Sequence, residues 1–213
     1  MTLPNVGGGC GSAPFEPRAG APISNRIAIS FAIAAVALEV VASAMYAAAA
    51  GFSPGLTVEP SKLLASGATG ASLIRWGSLV DMFGYLSIMP VVVYLRARYS
   101  AARYIDIFAV AGFALVVIGS IGAAAMATAA PPLISEYAAA SAAQRQVLLP
   151  AFATLYRSVV LGLWQTLETI PAAIWLLGTA AAARHEGRRP VVLTLLLLGI
   201  INAALGLYRL VVA

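Results

Sequence analysis

Long apolar runs alternate along this chain with short segments that carry its arginines, glycines and prolines. Five runs stand out, over residues 27–50, 76–95, 105–130, 158–182 and 191–212. A hydrocarbon core about 30 Å thick takes about 20 helical residues at about 1.5 Å rise each, so each run is long enough to span. Barrel strands need only about 9–11 alternating residues, and these runs do not alternate. The pattern predicts an all-α polytopic membrane protein. A flexible tail, residues 1–25, precedes a bundle of five transmembrane helices over residues 26–213.

The connections fit that division. Residues 51–72 carry Gly, Pro and Ser with Glu59 and Lys62, and residues 96–104 hold Arg96, Arg98 and Arg103. The third connection, residues 131–157, opens on Pro131-Pro132. Its second half reads equally as an interfacial helix or as an extension of the fourth span. Residues 183–190 hold Arg184, Arg188 and Arg189. No internal repeat signals an inverted-repeat transporter.

Composition sharpens the class. Hydrophobic residues make up 61% of the chain and charged residues 10%, with a mean hydropathy of +0.91. Soluble domains carry roughly 25% charged residues, so the main solvent is lipid. The formal charge of +5 matters less than its placement. Arg18, Arg26, Arg96, Arg98, Arg103, Arg184, Arg188 and Arg189 fall on one side of the alternation. Lys62, Arg75, Arg145, Arg157 and Arg209 fall on the other. Cationic loops stay cytoplasmic, which places the N-terminus inside and the C-terminus outside a cell membrane. No basic run with interleaved aromatics suggests nucleic acid. The bilayer is the implied partner, with a membrane protein or a second copy as a further one.

Three carboxylates interrupt the apolar runs: Glu39, Asp81 and Glu168. An ionised group at mid-bilayer costs about 2.5–3.5 kcal/mol on insertion scales. Such a group must face the bundle interior, pair, or hold a proton. Asp81 lies near the end of its span where Arg75, Arg157 and Arg209 also fall, so an ion pair of Asp81 with Arg157 or Arg209 is expected. Glu39 and Glu168 lie near mid-depth with no arginine at their level, and are expected to hold or share a proton. Arg157 is roughly 16 Å along the helix from Glu168, too far to touch it. Asn202 is the polar residue at similar depth on the fifth span, and Tyr46 lies two turns from Glu39 on its face.

The fourth run has the richest face. Leu161, Trp164, Gln165, Glu168, Ala172 and Trp175 recur at helical spacing. Pro171 lacks an N–H and invites a kink beside Glu168. Glu39, Glu168, Gln165, Asn202 and Trp164 are therefore the candidate ligand- or proton-binding residues. The competing reading is that they only join helices through hydrogen bonds. On the second run, Gly77, Ser78, Asp81, Gly84 and Tyr85 form a small, polar face suited to close helix contact. On the third, Gly119, Ala123 and Ala127 form a small-xxx-small row.

Several chemistries find no support. Cys10 is the single cysteine and lies in the tail; no apolar segment precedes it, as a lipoprotein signal would require. The Gly7–Gly11 cluster lacks the Gly-Lys-Ser/Thr of a phosphate loop. His185 is the single histidine and sits in a basic loop, so no histidine pair can ligate a haem. No cofactor or metal motif appears, and neither does a nucleophile-and-base pattern.

The second and fourth runs, RWGSLVDMFGYLSIMPVVVYLRAR and LWQTLETIPAAIWLLG, resemble small bacterial multi-pass membrane proteins grouped as domains of unknown function. The likeness covers about residues 70–210. It rests on an acid and a proline within one span, followed by Trp-Gln and Glu-x-x-Pro in a later one. The resemblance implies a helical bundle in a bacterial cytoplasmic membrane and transfers no activity. The sequence thus points to a protein that binds or transports a small solute, a lipophilic ligand or protons through its buried carboxylates. The alternative is a non-catalytic accessory or assembly subunit of a membrane complex. A membrane enzyme acting on a lipid-like substrate is the weaker third reading.

Overall fold

A computed structural model of the chain describes residues 23–52, 59–186 and 189–212. Most of the 1–25 tail, with Cys10 and the Gly7–Gly11 cluster, lies outside the described residues. The helices are α1 (Asn25–Ala49), α2 (Pro60–Leu64), α3 (Gly67–Arg98), α4 (Ile105–Ala139), α5 (Ala142–Tyr156), α6 (Thr169–Ala183) and α7 (Arg189–Val212). A π-helical segment, Arg157–Leu167, joins α5 to α6, and a 3-10 turn, Arg184–Glu186, follows α6. Among the described residues there are no strands. Five helical stretches are long and apolar enough to cross a membrane, the fourth being the continuous run Ala142–Ala183.

The span positions agree with the hydropathy pattern, but three ends differ. Helix α3 begins at Gly67, not near Trp76, and α4 continues through Pro131 and Pro132 to Ala139. Hydropathy marks only the part of a helix that sits in hydrocarbon. Beyond it, water can satisfy the carbonyls that a proline leaves free. The undecided segment before residue 158 is an extension of the fourth span. Helix α5 starts at a capping box in which Ser141 and Gln144 satisfy each other's backbone N–H.

Helices α1 and α3 pack antiparallel along a seam written in steps of seven. Ala28, Ala35, Ala42 and Ala49 are the buried residues of α1. Opposite them, Gly70, Gly77 and Gly84 are buried in α3. A Cβ placed at Gly77 or Gly84 would stand 3.6 Å from the carbonyl oxygen of Ala42 or Ala35 respectively. In lipid there is little hydrophobic gain from joining two helices, so small residues that admit close backbone approach drive the contact. The register also sets Glu39 level with Asp81.

Helix α4 is the most enclosed, packed between α3 on one side and α6 with the π segment on the other. The small-xxx-small row Gly119, Ala123 and Ala127 is buried there. Helix α7 lies outermost, against α6 and the π segment. At one end, α2 packs on α4 and α5, with Leu63 and Leu64 in a cluster with Ile74, Met126, Ile134 and Phe152. At the other end, Tyr99, Ile105 and Ala183 form a smaller cluster. Large apolar side chains such as Ile33 (64% exposed), Val40 (63%), Val110 (66%) and Leu193 (64%) cover the outer faces. Monomeric soluble proteins do not expose apolar surface on this scale.

Candidate functional site

The three intramembrane acids lie in one neighbourhood of the bundle. Helix α3 supplies Asp81, which is 96% buried (4% exposed). The seam brings Glu39 of α1 opposite it, so that the two carboxyls interact electrostatically. Glu168 completes the group from the far side, where the π segment ends. Asp81 Oδ1 is buried with no hydrogen-bond partner. Glu39 itself is exposed on the flank of α1 rather than turned into the bundle, because the seam aims the alanines, not Glu39, at α3.

Tyr85 ties α3 to the fourth span. Its hydroxyl lies 2.9 Å from Oε1 and 2.8 Å from Oε2 of Glu168, and it donates to that carboxylate. One turn earlier on α3 is Asp81, and one turn before that is Ser78. The Ser78 hydroxyl donates to the Ile74 carbonyl at 2.7 Å and accepts from the Tyr46 hydroxyl at 2.7 Å. Ser78, Asp81 and Tyr85 thus form a polar stripe down α3 that faces α1 on one side and Glu168 on the other.

The aromatic rings around this stripe are seated in glycine notches of α4. A Cβ at Gly119 would overlap the Tyr85 ring, and one at Gly122 would overlap the Trp164 ring. The Trp164 indole donates to the Gly119 carbonyl at 3.3 Å. Its ring meets the Tyr46 ring edge-on, with centroids 6.2 Å apart. Gln165, beside it, has a buried Oε1 with no partner.

Glu168 sits where the backbone register changes. Its N–H donates to the Leu163 carbonyl, five residues back, at 2.8 Å, and its carbonyl accepts from Ala172, four residues on, at 3.1 Å. The Thr166 hydroxyl also reaches back five residues, to the Leu161 carbonyl, at 2.6 Å. Pro171 withholds the N–H that Leu167 would otherwise meet. The kink expected at Pro171 is thus accompanied by an 11-residue π segment before it. Such segments are uncommon and frequent at functional sites.

The expected ion pair is not formed. The ion pairs among the described residues are Arg96–Asp106 and Arg98–Glu186, both 2.7 Å. Arg157 is exposed, and Arg209 stacks over the Tyr208 ring at 5.8 Å. Asp81 looks instead toward Glu39, since the seven-residue seam fixes its direction and depth alone does not. Asn202 donates to the Leu198 carbonyl of its own helix at 2.9 Å, and among the described residues no hydrogen bond joins it to the acids. Of the sequence candidates, the structure gathers Glu39, Glu168, Asp81 and Trp164. It adds Tyr85, Tyr46 and Ser78. The signal for these was present in the stripe Ser78, Asp81, Tyr85 and in the seven-residue spacing of Gly70, Gly77 and Gly84.

Chemically, the site is a cluster of carboxyls and hydroxyls with no cation among the described residues to balance it. Among those residues, no group of three His, Cys, Asp or Glu side chains is disposed to hold a metal ion. No family description, curated protein or solved structure matches the chain.

Proposed function

We propose that this protein is a membrane-embedded binding or transport-type protein whose working centre is the carboxyl group of Glu39, Asp81 and Glu168. The convergence of three acids from three parts of the bundle, with no cation beside them, carries this reading. Two facing carboxyls in low dielectric repel when both are ionised and attract when one proton is shared. The centre therefore takes up a proton. Tyr85 holds the Glu168 carboxylate, and Glu39 with Asp81 accepts the incoming charge. The exposed Glu39 gives the centre an edge toward the flank of α1.

The arginine distribution supports an orientation with the N-terminus cytoplasmic and the C-terminus outside; the bacterial cytoplasmic membrane rests on the resemblance alone. The test is flux into liposomes holding the purified protein, with a pH-sensitive dye inside and an imposed potential. The reading expects potential-driven proton movement in wild type that falls at least about tenfold in Asp81→Asn and Glu168→Gln, about 1.4 kcal/mol in barrier. Equal flux in wild type, both variants and empty liposomes would reject it.

One observation favours an accessory subunit: no other part of the described chain packs closely over Glu39's side of α1. A partner helix bearing a cation would fit there. That reading expects the protein to leave mild detergent with a stoichiometric partner, and a lone monomer with intact flux would dismiss it.

A further inference from the structure

A cavity of about 870 Å³ opens at the end of the bundle opposite α2. Its walls are the α3–α4 connection, residues 99–104, and the end of α6 with the 3-10 turn. Arg98, Tyr99, Arg103, Tyr104, Phe108 and Glu186 supply its larger side chains, and alanines from both walls supply the rest.

The charges in this cavity are unequal. Arg98 is committed: its Nε and Nη2 donate to Glu186 Oε2 at 3.2 and 2.7 Å, and its Nη1 donates to the Tyr94 hydroxyl at 2.9 Å. Arg103 makes no ion pair with a described residue and lies over the Tyr104 ring at 5.1 Å. Two guanidinium groups against one carboxylate leave one positive charge, and Arg103 carries it. Burial, reinforced by Glu186, pushes the Tyr99 hydroxyl above the usual tyrosine range, so it remains a neutral donor. Phe108 and the alanines form an apolar floor where the spans end.

We infer that this cavity binds the phosphodiester headgroup of a lipid with one net negative charge, held by the unpaired Arg103 against the Arg98–Glu186 pair. The charge excess matches one phosphodiester. A zwitterionic headgroup would leave that excess unmet. The apolar floor of Phe108 and the alanines suits acyl chains, which a free phosphate lacks. Basic pockets between transmembrane helices are chemically suited to anionic headgroups.

The experiment is thermal unfolding of the full chain in a neutral detergent with added phosphatidylglycerol, phosphatidylcholine or glycerol phosphate. Wild type and Arg103→Gln are compared with Arg145→Gln, which removes an exposed arginine at the other end that also lies over a tyrosine ring. The expected result is a Tm increase of about 3 °C or more with phosphatidylglycerol. It should be kept in Arg145→Gln, largely lost in Arg103→Gln, and absent with phosphatidylcholine. Equal stabilisation of Arg103→Gln, or equal stabilisation by phosphatidylcholine, overturns the inference. A glycerol phosphate effect as large as that of the lipid overturns the lipid assignment and gives the site to a soluble phosphate.

Discussion

The Tyr85 hydroxyl lies within 2.9 Å of both carboxyl oxygens of Glu168, joining α3 to the point where the fourth span changes helical register. The bond is between side chains in the interior of the bundle, where a lost partner is not replaced by bulk water. Tyr85→Phe removes the donor and keeps the ring in its Gly119 notch. It should lower stability in detergent by about 1–2 kcal/mol, read as a drop in unfolding midpoint.

The α4 notches make the opposite demand. Gly119→Ala sets a methyl into the Tyr85 ring. Overpacking of this kind costs about 1–3 kcal/mol. The double variant Gly119→Ala with Tyr85→Leu should recover part of that loss, while losing the Glu168 bond. Thermal unfolding of the two single variants and the double one measures the coupling.

Positions along the α1–α3 seam should differ in a graded way. A Cβ at Gly84 meets Leu38 Cβ at 3.5 Å, which is ordinary contact, whereas at Gly77 it meets Met45 Cβ at 3.2 Å. Gly84→Ala should therefore be nearly neutral, within about 0.5 kcal/mol, and Gly77→Ala should cost more. Gly77→Leu should part the helices and move Glu39 away from Asp81. Cross-linking of cysteines placed at Ala35 and Gly84 reads the separation: it should survive in Gly77→Ala and fail in Gly77→Leu.

The two ion pairs at the arginine-rich end should not be equal. Arg96 and Asp106 have side chains 57% and 73% exposed, against 32% and 23% for Arg98 and Glu186. Solvent screens the first, so Arg96→Gln should change stability by under about 0.5 kcal/mol. Arg98→Gln also strips a partner from Tyr94 and should cost about 1 kcal/mol or more. Chemical unfolding of both variants at low and high salt checks the ranking.

The spans were legible in the sequence because hydrocarbon solvent leaves a direct record: about 20 apolar residues per crossing. The helix ends were less so, since Gly67–Arg75 and Pro131–Ala139 continue helices beyond the hydrocarbon, where hydropathy carries no signal. Among the site residues, Glu39, Asp81 and Glu168 announced themselves by their cost in lipid. Their partners did not. Depth matches Asp81 to Arg157 or Arg209, but direction decides contact, and direction comes from Ala35 and Ala42 against Gly84 and Gly77. The π register before Pro171 also lay beyond periodicity, because a five-residue step arises from backbone bonding that side-chain spacing does not encode. Tyr85 was visible on the polar face of α3, yet its bond to Glu168 depends on Gly119 making room for the ring.

The central claim is that Glu39, Asp81 and Glu168 form one centre that takes up and releases a proton within the bundle. Infrared difference spectroscopy of the protein in liposomes, titrated between about pH 5 and pH 9, reads this directly through the carbonyl stretch of protonated carboxyls. The account predicts a pH-dependent protonated-carboxyl band in wild type that shifts or disappears in both Asp81→Asn and Glu168→Gln, showing that the acids titrate together. A spectrum with no protonated carboxyl at any pH, or a band left unchanged by both substitutions, would contradict it.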